Sequence, residues 1–304
     1  MAEVAIPFNE HALKLDVCRS CQFLWFDPHE FEQLPEKPPE PNSDEDLPQK
    51  AREQMAIAEA HSIGERARGD DFGDEPPDEA WKWFPALLGM PVEHEVHPLR
   101  SWPWATWALI AVAVLVAVFT HDQIGSVAQE FGMIPAQVGR YGGITFLTSF
   151  FLHGGVMHLI GNMYFLLIFG DNVEDHLGKW KYLLLLFVAT VVGDCIHILG
   201  EPRSMIPAIG ASGGISGIIV YYALQFPKAR LGFVVRILYM FRWIYIPAWF
   251  ALVCWLLLQS FGVYQQLAGF SNVSALAHLG GASVGLAAWY FWGRTEADVS
   301  SHRA

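Results

Sequence analysis

The chain has 304 residues, 53% of them hydrophobic, with 12 Trp and 21 Phe, which is too apolar for an ordinary soluble domain. Its formal net charge of −12 is carried by the front third: residues 1–99 hold 22 acidic and 8 basic side chains, residues 100–304 hold 9 and 11. Nothing is basic enough to hold nucleic acid, and the four cysteines imply no disulfide framework.

In chain order, residues 1–34 form a small unit that contains Cys18 and Cys21 and the aromatic run Phe23-Leu24-Trp25-Phe26. No apolar core follows Met1 as in a signal peptide, and the acidic front is unlike a transit peptide. Residues 35–99 read as an acidic, Pro-rich linker that ends in a juxtamembrane aromatic patch around Trp81 and Trp83. Six apolar spans follow, near 103–120, 156–170, 180–199, 212–226, 245–263 and 275–292, and each approaches the ~20 residues that a bilayer requires. The fourth is short and glycine-rich, so it must be enclosed by other helices. With a cytoplasmic N-terminus, the inside loops hold Lys179, Lys181, Lys228, Arg230, Arg236 and Arg242, and the tail from 294 to 304 begins with Arg294. The outside loops then hold only Arg140 and Arg203, so both termini are expected to be cytoplasmic. The expected location is a bacterial plasma membrane.

Polar residues inside apolar spans need a partner or a task. Ser212 lies in Gly210-Ala211-Ser212-Gly213-Gly214-Ile215-Ser216-Gly217 at the start of the fourth span. A serine there has an open hydroxyl and a backbone N–H free of helix bonding, as a nucleophile requires, although small residues also serve close helix packing. His278, Gly281 and Gly285 share one face of the sixth span, which puts an imidazole on a close contact with the small-residue fourth. Beside a glycine-flanked serine it suits a general base; alone it would be a structural hydrogen-bonder. His158 and Asn162 are four apart in the second span, and both can donate to an oxyanion, or clasp a neighbouring helix. No carboxylate or thiol shares that face at metal-ligand spacing, so no metal is assigned there.

These stretches resemble the rhomboid intramembrane serine proteases: His153-Gly154-Gly155-Val156-Met157-His158-Leu159-Ile160-Gly161-Asn162, the fourth-span motif around Ser212, and Ala277-His278-Leu279-Gly280-Gly281. Gly170-Asp171-Asn172-Val173-Glu174-Asp175 and Phe226-Pro227-Lys228-Ala229-Arg230 add to the likeness, which covers residues 100–293. It implies an all-α membrane protein, a six-helix bundle carrying a Ser–His dyad without a third acid, behind a small cytoplasmic N-terminal domain. By that likeness Ser212 is the nucleophile and His278 the general base, while His158 and Asn162 complete the oxyanion hole and His153 steadies the adjoining loop. The implied activity is a serine-type endopeptidase acting on transmembrane segments of other proteins in the lipid bilayer. The alternative is a catalytically silent relative that binds such clients, which commonly lacks the serine or the histidine; this chain keeps both. Two departures stand out: Ile144-Thr145 replaces a Trp-Arg pair in the first long loop, and Ser216 replaces a tyrosine one turn after the nucleophile.

Cys18 and Cys21, followed by Trp25-Phe26-Asp27 and Glu30, also look like the second knuckle of a zinc ribbon whose first knuckle is missing. His11 or His29 could stand in, but two thiolates alone do not close a tetrahedral site, and no cofactor is assigned.

Overall fold

Helices start at or within a few residues of all six apolar spans in a computed structural model that describes residues 2–8, 11–17, 24–25, 80–94, 99–237 and 240–293. The chain divides into two units, Met1–Phe72 and Gly73–Ala304. In the first, β1 (Ala2–Phe8), β2 (His11–Val17) and β3 (Leu24–Trp25) make an antiparallel sheet in that order. Cys18, Cys21 and His29 lie outside the described residues.

In the second unit, α1 (Trp83–Leu87) and β4 (Val92–Glu93) precede α2 (Trp104–Thr120). A long loop then carries α3 (Ile124–Phe131) and α4 (Thr145–Phe151). The remaining helices are α5 (Val156–Leu177), α6 (Lys179–Gly200), α7 (Ser212–Gln225), α8 (Ala248–Leu267) and α9 (Ala275–Ala288), the last running into a π-helical turn at Trp289–Gly293. Among the described residues four stretches are long and apolar enough to cross a membrane: Trp104–Phe131, α5, α6 and α8. The other two, α7 and α9, have 14 residues each.

Burial sorts these helices. On α2 only Thr106, Leu109 and Ala113 are buried, so an almost wholly apolar helix turns most of its surface outward, as a lipid-facing helix does. By contrast α7 buries ten of its 14 residues, and its glycines are the reason. A Cβ on Gly214 would come 2.7 Å from Leu186 O of α6, and one on Gly217 would come 3.0 Å from Gly281 O of α9. The backbones of α6, α7 and α9 therefore touch, the approach that small residues permit between membrane helices.

The Gly170–Asp175 stretch has a structural task. At the start of α2 the Glu174 carboxylate accepts from the N–H of Ala105 and Thr106 and from Thr106 Oγ1, at 2.8–2.9 Å. Asp175 accepts from Ser101 N–H and Oγ. First-turn donors have no acceptor within their own helix, and in hydrocarbon each would cost several kcal/mol if left bare. Gly178, at φ +73, then makes the one-residue turn into α6.

An all-α bundle has no strand, yet in this unit the segment before α8 folds as a hairpin, β5 (Arg230–Ile237) and β6 (Met240–Pro247), with β4 on its open edge. It displaces the expected start of the fifth span from 245 to Ala248. Ala86, Val92 and Trp243 form a small core there, with Trp83 edge-on to Trp243 at 5.1 Å. Tyr222 Oη donates to Glu93 at 2.6 Å, and Tyr164 Oη to Pro91 O at 2.7 Å, so residues 80–94 are tied into the helices.

Candidate active site

Ser212 opens α7, and three main-chain ties place the loop that leads into it. Met133 pairs with Ala208, Ala136 N–H donates to Ser204 O at 3.0 Å, and Gly210 N–H donates to Ser149 O of α4 at 2.9 Å. The strand-like approach ends at Gly210, whose φ of +120° favours glycine. Being a first-turn residue, Ser212 has a backbone N–H with no intrahelical acceptor. Its side chain is half-buried, and its hydroxyl makes no hydrogen bond among the described residues. Ser216 one turn on is buried and spends its hydroxyl on Ser212 O at 2.7 Å.

The second span brings its two residues against that approach. A Cβ on Gly210 would meet His158 Cε1 and Nε2 at 2.8 Å and Asn162 Nδ2 at 3.8 Å. Gly154 N–H donates to His158 Nδ1 at 3.4 Å, which leaves the ring proton on Nε2, the edge that faces Gly210. Asn162 donates to His158 O at 2.9 Å and retains a second amide hydrogen. His153 is buried, sits edge-on to His158 at 5.2 Å, and hydrogen-bonds Phe151 O, as a loop-steadying residue would. With Gly154 it borders a cavity of about 400 Å³ that also touches Thr120 and His121.

The first long loop is anchored differently from the Trp-Arg pattern. Ile144 is exposed and Thr145 buried, and the loop is instead closed by Arg140, which donates to Gln129 O and Gly132 O at 2.5 and 2.8 Å. Thr148 adds a hydrogen bond to Phe131 O at 2.6 Å.

His278 stands in the first turn of α9, one turn before the contact of Gly281 with Gly213 O. The glycine-lined crossing that the sequence implies is thus present. No hydrogen bond joins His278 to Ser212; its Nδ1 instead lies 2.8 Å from Gln259 Oε1 of α8. The start of α9 is fixed by a further network around His197 of α6. Ser274 caps the helix by accepting from Ala277 N–H, and its hydroxyl meets His197 Nδ1 at 2.9 Å. Gln266 reaches His197, Glu201 Oε1 and the Leu276 N–H at 3.1, 2.6 and 3.1 Å. The available signal was the presence of Gln259 and Gln266 at all in an apolar helix. Among the described residues no group of three or more His, Cys, Asp or Glu side chains is placed to hold a metal ion.

Taken together, the arrangement offers an open hydroxyl at a helix start, an imidazole on the helix that crosses it, and side-chain N–H donors beside the preceding turn. That is the equipment of acyl transfer. Comparison with known proteins gives the family. Residues 141–295, just over half of the chain, match the Rhomboid domain. The chain is similar to RHOMBOID-like protein 12, mitochondrial, of Arabidopsis thaliana, 29% identical over 48% of this chain and 45% of that one. It is 27% identical to Presenilin-associated rhomboid-like protein, mitochondrial, of Homo sapiens, over 47% and 36%. It is 28% identical to Putative rhomboid protease YdcA of Bacillus subtilis, over 41% and 63%. In each case the match spans less than two thirds of the relative's length. Two of the three are mitochondrial by name, so the expected bacterial plasma membrane gains no support from them. The matched domain, the helices that carry it and the glycine contacts between them agree: this chain is a multi-pass membrane protein of the rhomboid family.

Proposed function

We propose that the chain is an intramembrane serine endopeptidase that cleaves transmembrane segments of other membrane proteins. Ser212 attacks the scissile carbonyl, and His278 takes its proton and returns it to the leaving amine. His158 Nε2–H, the free Asn162 amide hydrogen and the Ser212 N–H receive the developing oxyanion. The observation that carries this reading is the convergence at one turn: Gly210, two residues before Ser212, abuts both His158 and Asn162, and Gly213, one residue after it, abuts the helix that bears His278. Formation of the Ser212–His278 hydrogen bond accompanies substrate binding, as catalytic hydrogen bonds often tighten only in the bound complex. The lysines and arginines of residues 179–181 and 228–242 mark that end of the helices as the positive-inside face in this reading. Ser212 then lies toward the opposite face.

The test is incubation of the purified full chain in detergent with a single-span model substrate. Two fragments are expected. Binding of the substrate without fragments would instead favour the catalytically silent client-binder, for which the missing hydrogen bond between Ser212 and His278 speaks. A second expectation concerns the turn itself. In Gly210→Ala the new methyl group has to displace the His158 ring, and the backbone stays at a φ that side chains rarely adopt. Loss of one oxyanion donor costs about 10²–10³ in kcat. Cleavage should therefore fall by about that factor while the protein remains folded. Wild-type kcat in Gly210→Ala would remove His158 from the oxyanion site.

A further inference from the structure

The likeness to the rhomboid proteases carries a two-residue apparatus, but the geometry around His278 contains a third side chain. Gln259 of α8 is half-buried, and its Oε1 lies 2.8 Å from His278 Nδ1, a hydrogen bond between residues 19 apart in sequence that joins two successive helices. An amide oxygen has lone pairs and no proton, so in this contact Nδ1–H must be the donor. A neutral imidazole has one ring proton; with it on Nδ1, Nε2 carries a bare lone pair. A serine hydroxyl needs a base with such a lone pair.

The neighbouring groups do not offer the same service. Ser216 has committed its hydroxyl to Ser212 O. His158 is itself fixed, by the Gly154 N–H, with its proton on Nε2. The two imidazoles are therefore held in opposite tautomers by different neighbours. His158 offers a proton, and His278 offers a lone pair. A general base and an oxyanion donor need that division of roles, and each is set by a single hydrogen bond to the Nδ1 side.

We propose that Gln259 is a positioning residue: its side-chain oxygen holds His278 in the Nδ1–H tautomer and so keeps Nε2 ready to take the Ser212 proton. The proposal rests on the assignment of His278 as the general base, and it supplies the orienting partner that a dyad lacks. Unlike a carboxylate, the amide adds no charge. It selects a tautomer and a ring orientation without stabilising the imidazolium that forms later.

Nitrogen-15 NMR of the histidine rings in the full chain, purified in detergent, reads this directly. His278→Ala identifies the His278 signals among those of the 12 histidines. Wild type should show the neutral Nδ1–H form, Gln259→Leu a shift to Nε2–H or a mixture, and Gln259→Glu, which keeps the acceptor, the wild-type form. On a single-span substrate Gln259→Leu should lose about 100-fold in kcat, the low end of what a positioned general base contributes. KM should change by less than about twofold, because substrate binding is untouched. Gln259→Glu should recover most of the loss. A wild-type ring with its proton on Nε2, or an unchanged tautomer in Gln259→Leu, would overturn the proposal. A wild-type chain with the Nδ1–H tautomer and no cleavage would overturn the protease reading and the positioning role with it, whereas cleavage unaffected by Gln259→Leu would overturn the positioning role alone.

Discussion

Replacing Ser212 with alanine is expected to take cleavage of a single-span substrate down to background, a loss of about 10⁴–10⁶ in kcat, with no change in thermal stability. The second half of that expectation makes the first informative. Among the described residues the Ser212 hydroxyl makes no hydrogen bond, and the side chain is half-buried, so its removal breaks no hydrogen bond on which the fold depends. A substitution away from such features shifts stability by less than about 0.5 kcal/mol. His278→Ala should abolish cleavage to the same degree but should cost stability as well. It leaves Gln259 Oε1 without its donor in a part-buried site, a loss worth about 1–3 kcal/mol. Because nucleophile and base act as one unit, the double substitution should be no slower than either single one. Cleavage by Ser212→Ala above a few per cent of wild type would show that another nucleophile is at work. A matching fall in the thermal midpoint would show that the serine holds the structure instead.

What could be seen in advance follows from the range of the forces involved. The start of α7 was legible because its signal is local: four glycines and two serines within eight residues cannot face lipid and must pack backbone to backbone. His278 and Gly281 were legible because helical periodicity alone places them on one face. The hairpin at Arg230–Pro247 was not. Its second strand contains Trp243-Ile244-Tyr245-Ile246, an unbroken apolar run that reads as the beginning of a membrane span. What makes it a strand is pairing with Arg230–Ile237, whose own edge is covered by Val92–Glu93 more than 130 residues away. Strand formation is decided by such partners more than by intrinsic preference. Gln259 was hidden for a related reason. A lone amide in an apolar helix announces that it has a partner but not which one, and His278 is on the next helix. The caps were equally distant: Glu174 satisfies donors 68 and 69 residues before it, and only the packed bundle brings them together.

The largest structural effect should come from one methyl group at Gly281. A Cβ there would stand 1.8 Å from Gly213 O, and contacts below 3.0 Å are essentially never adopted by real Cβ atoms. The obstructing atom is main chain, so no rotamer change can relieve the clash. The helices α7 and α9 must separate by more than an ångström, or one must unwind. The same face repeats the constraint one turn on, where a Cβ on Gly285 would stand 2.2 Å from Gly217 O. Separation at one point therefore opens the other. Overpacking a close-packed interior costs typically 1–3 kcal/mol, and a rigid backbone neighbour puts Gly281→Ala at or beyond the upper end. The gain of about 1 kcal/mol from replacing a helical glycine does not offset it. On that scale the thermal midpoint should fall by on the order of 10 °C. The matched control is Gly161→Ala in α5, where a Cβ meets nothing within 4 Å and the propensity gain should survive. Cleavage should fall further than stability alone explains. Ser212 sits beside Gly213 and His278 one turn from Gly281, so parting the helices lengthens the path of the proton, and a 1 Å misplacement can cost about 10² in rate. A Gly281→Ala protein with wild-type midpoint and wild-type turnover would mean that α7 and α9 do not meet along this face, and with that contact would go the geometric basis for pairing Ser212 with His278.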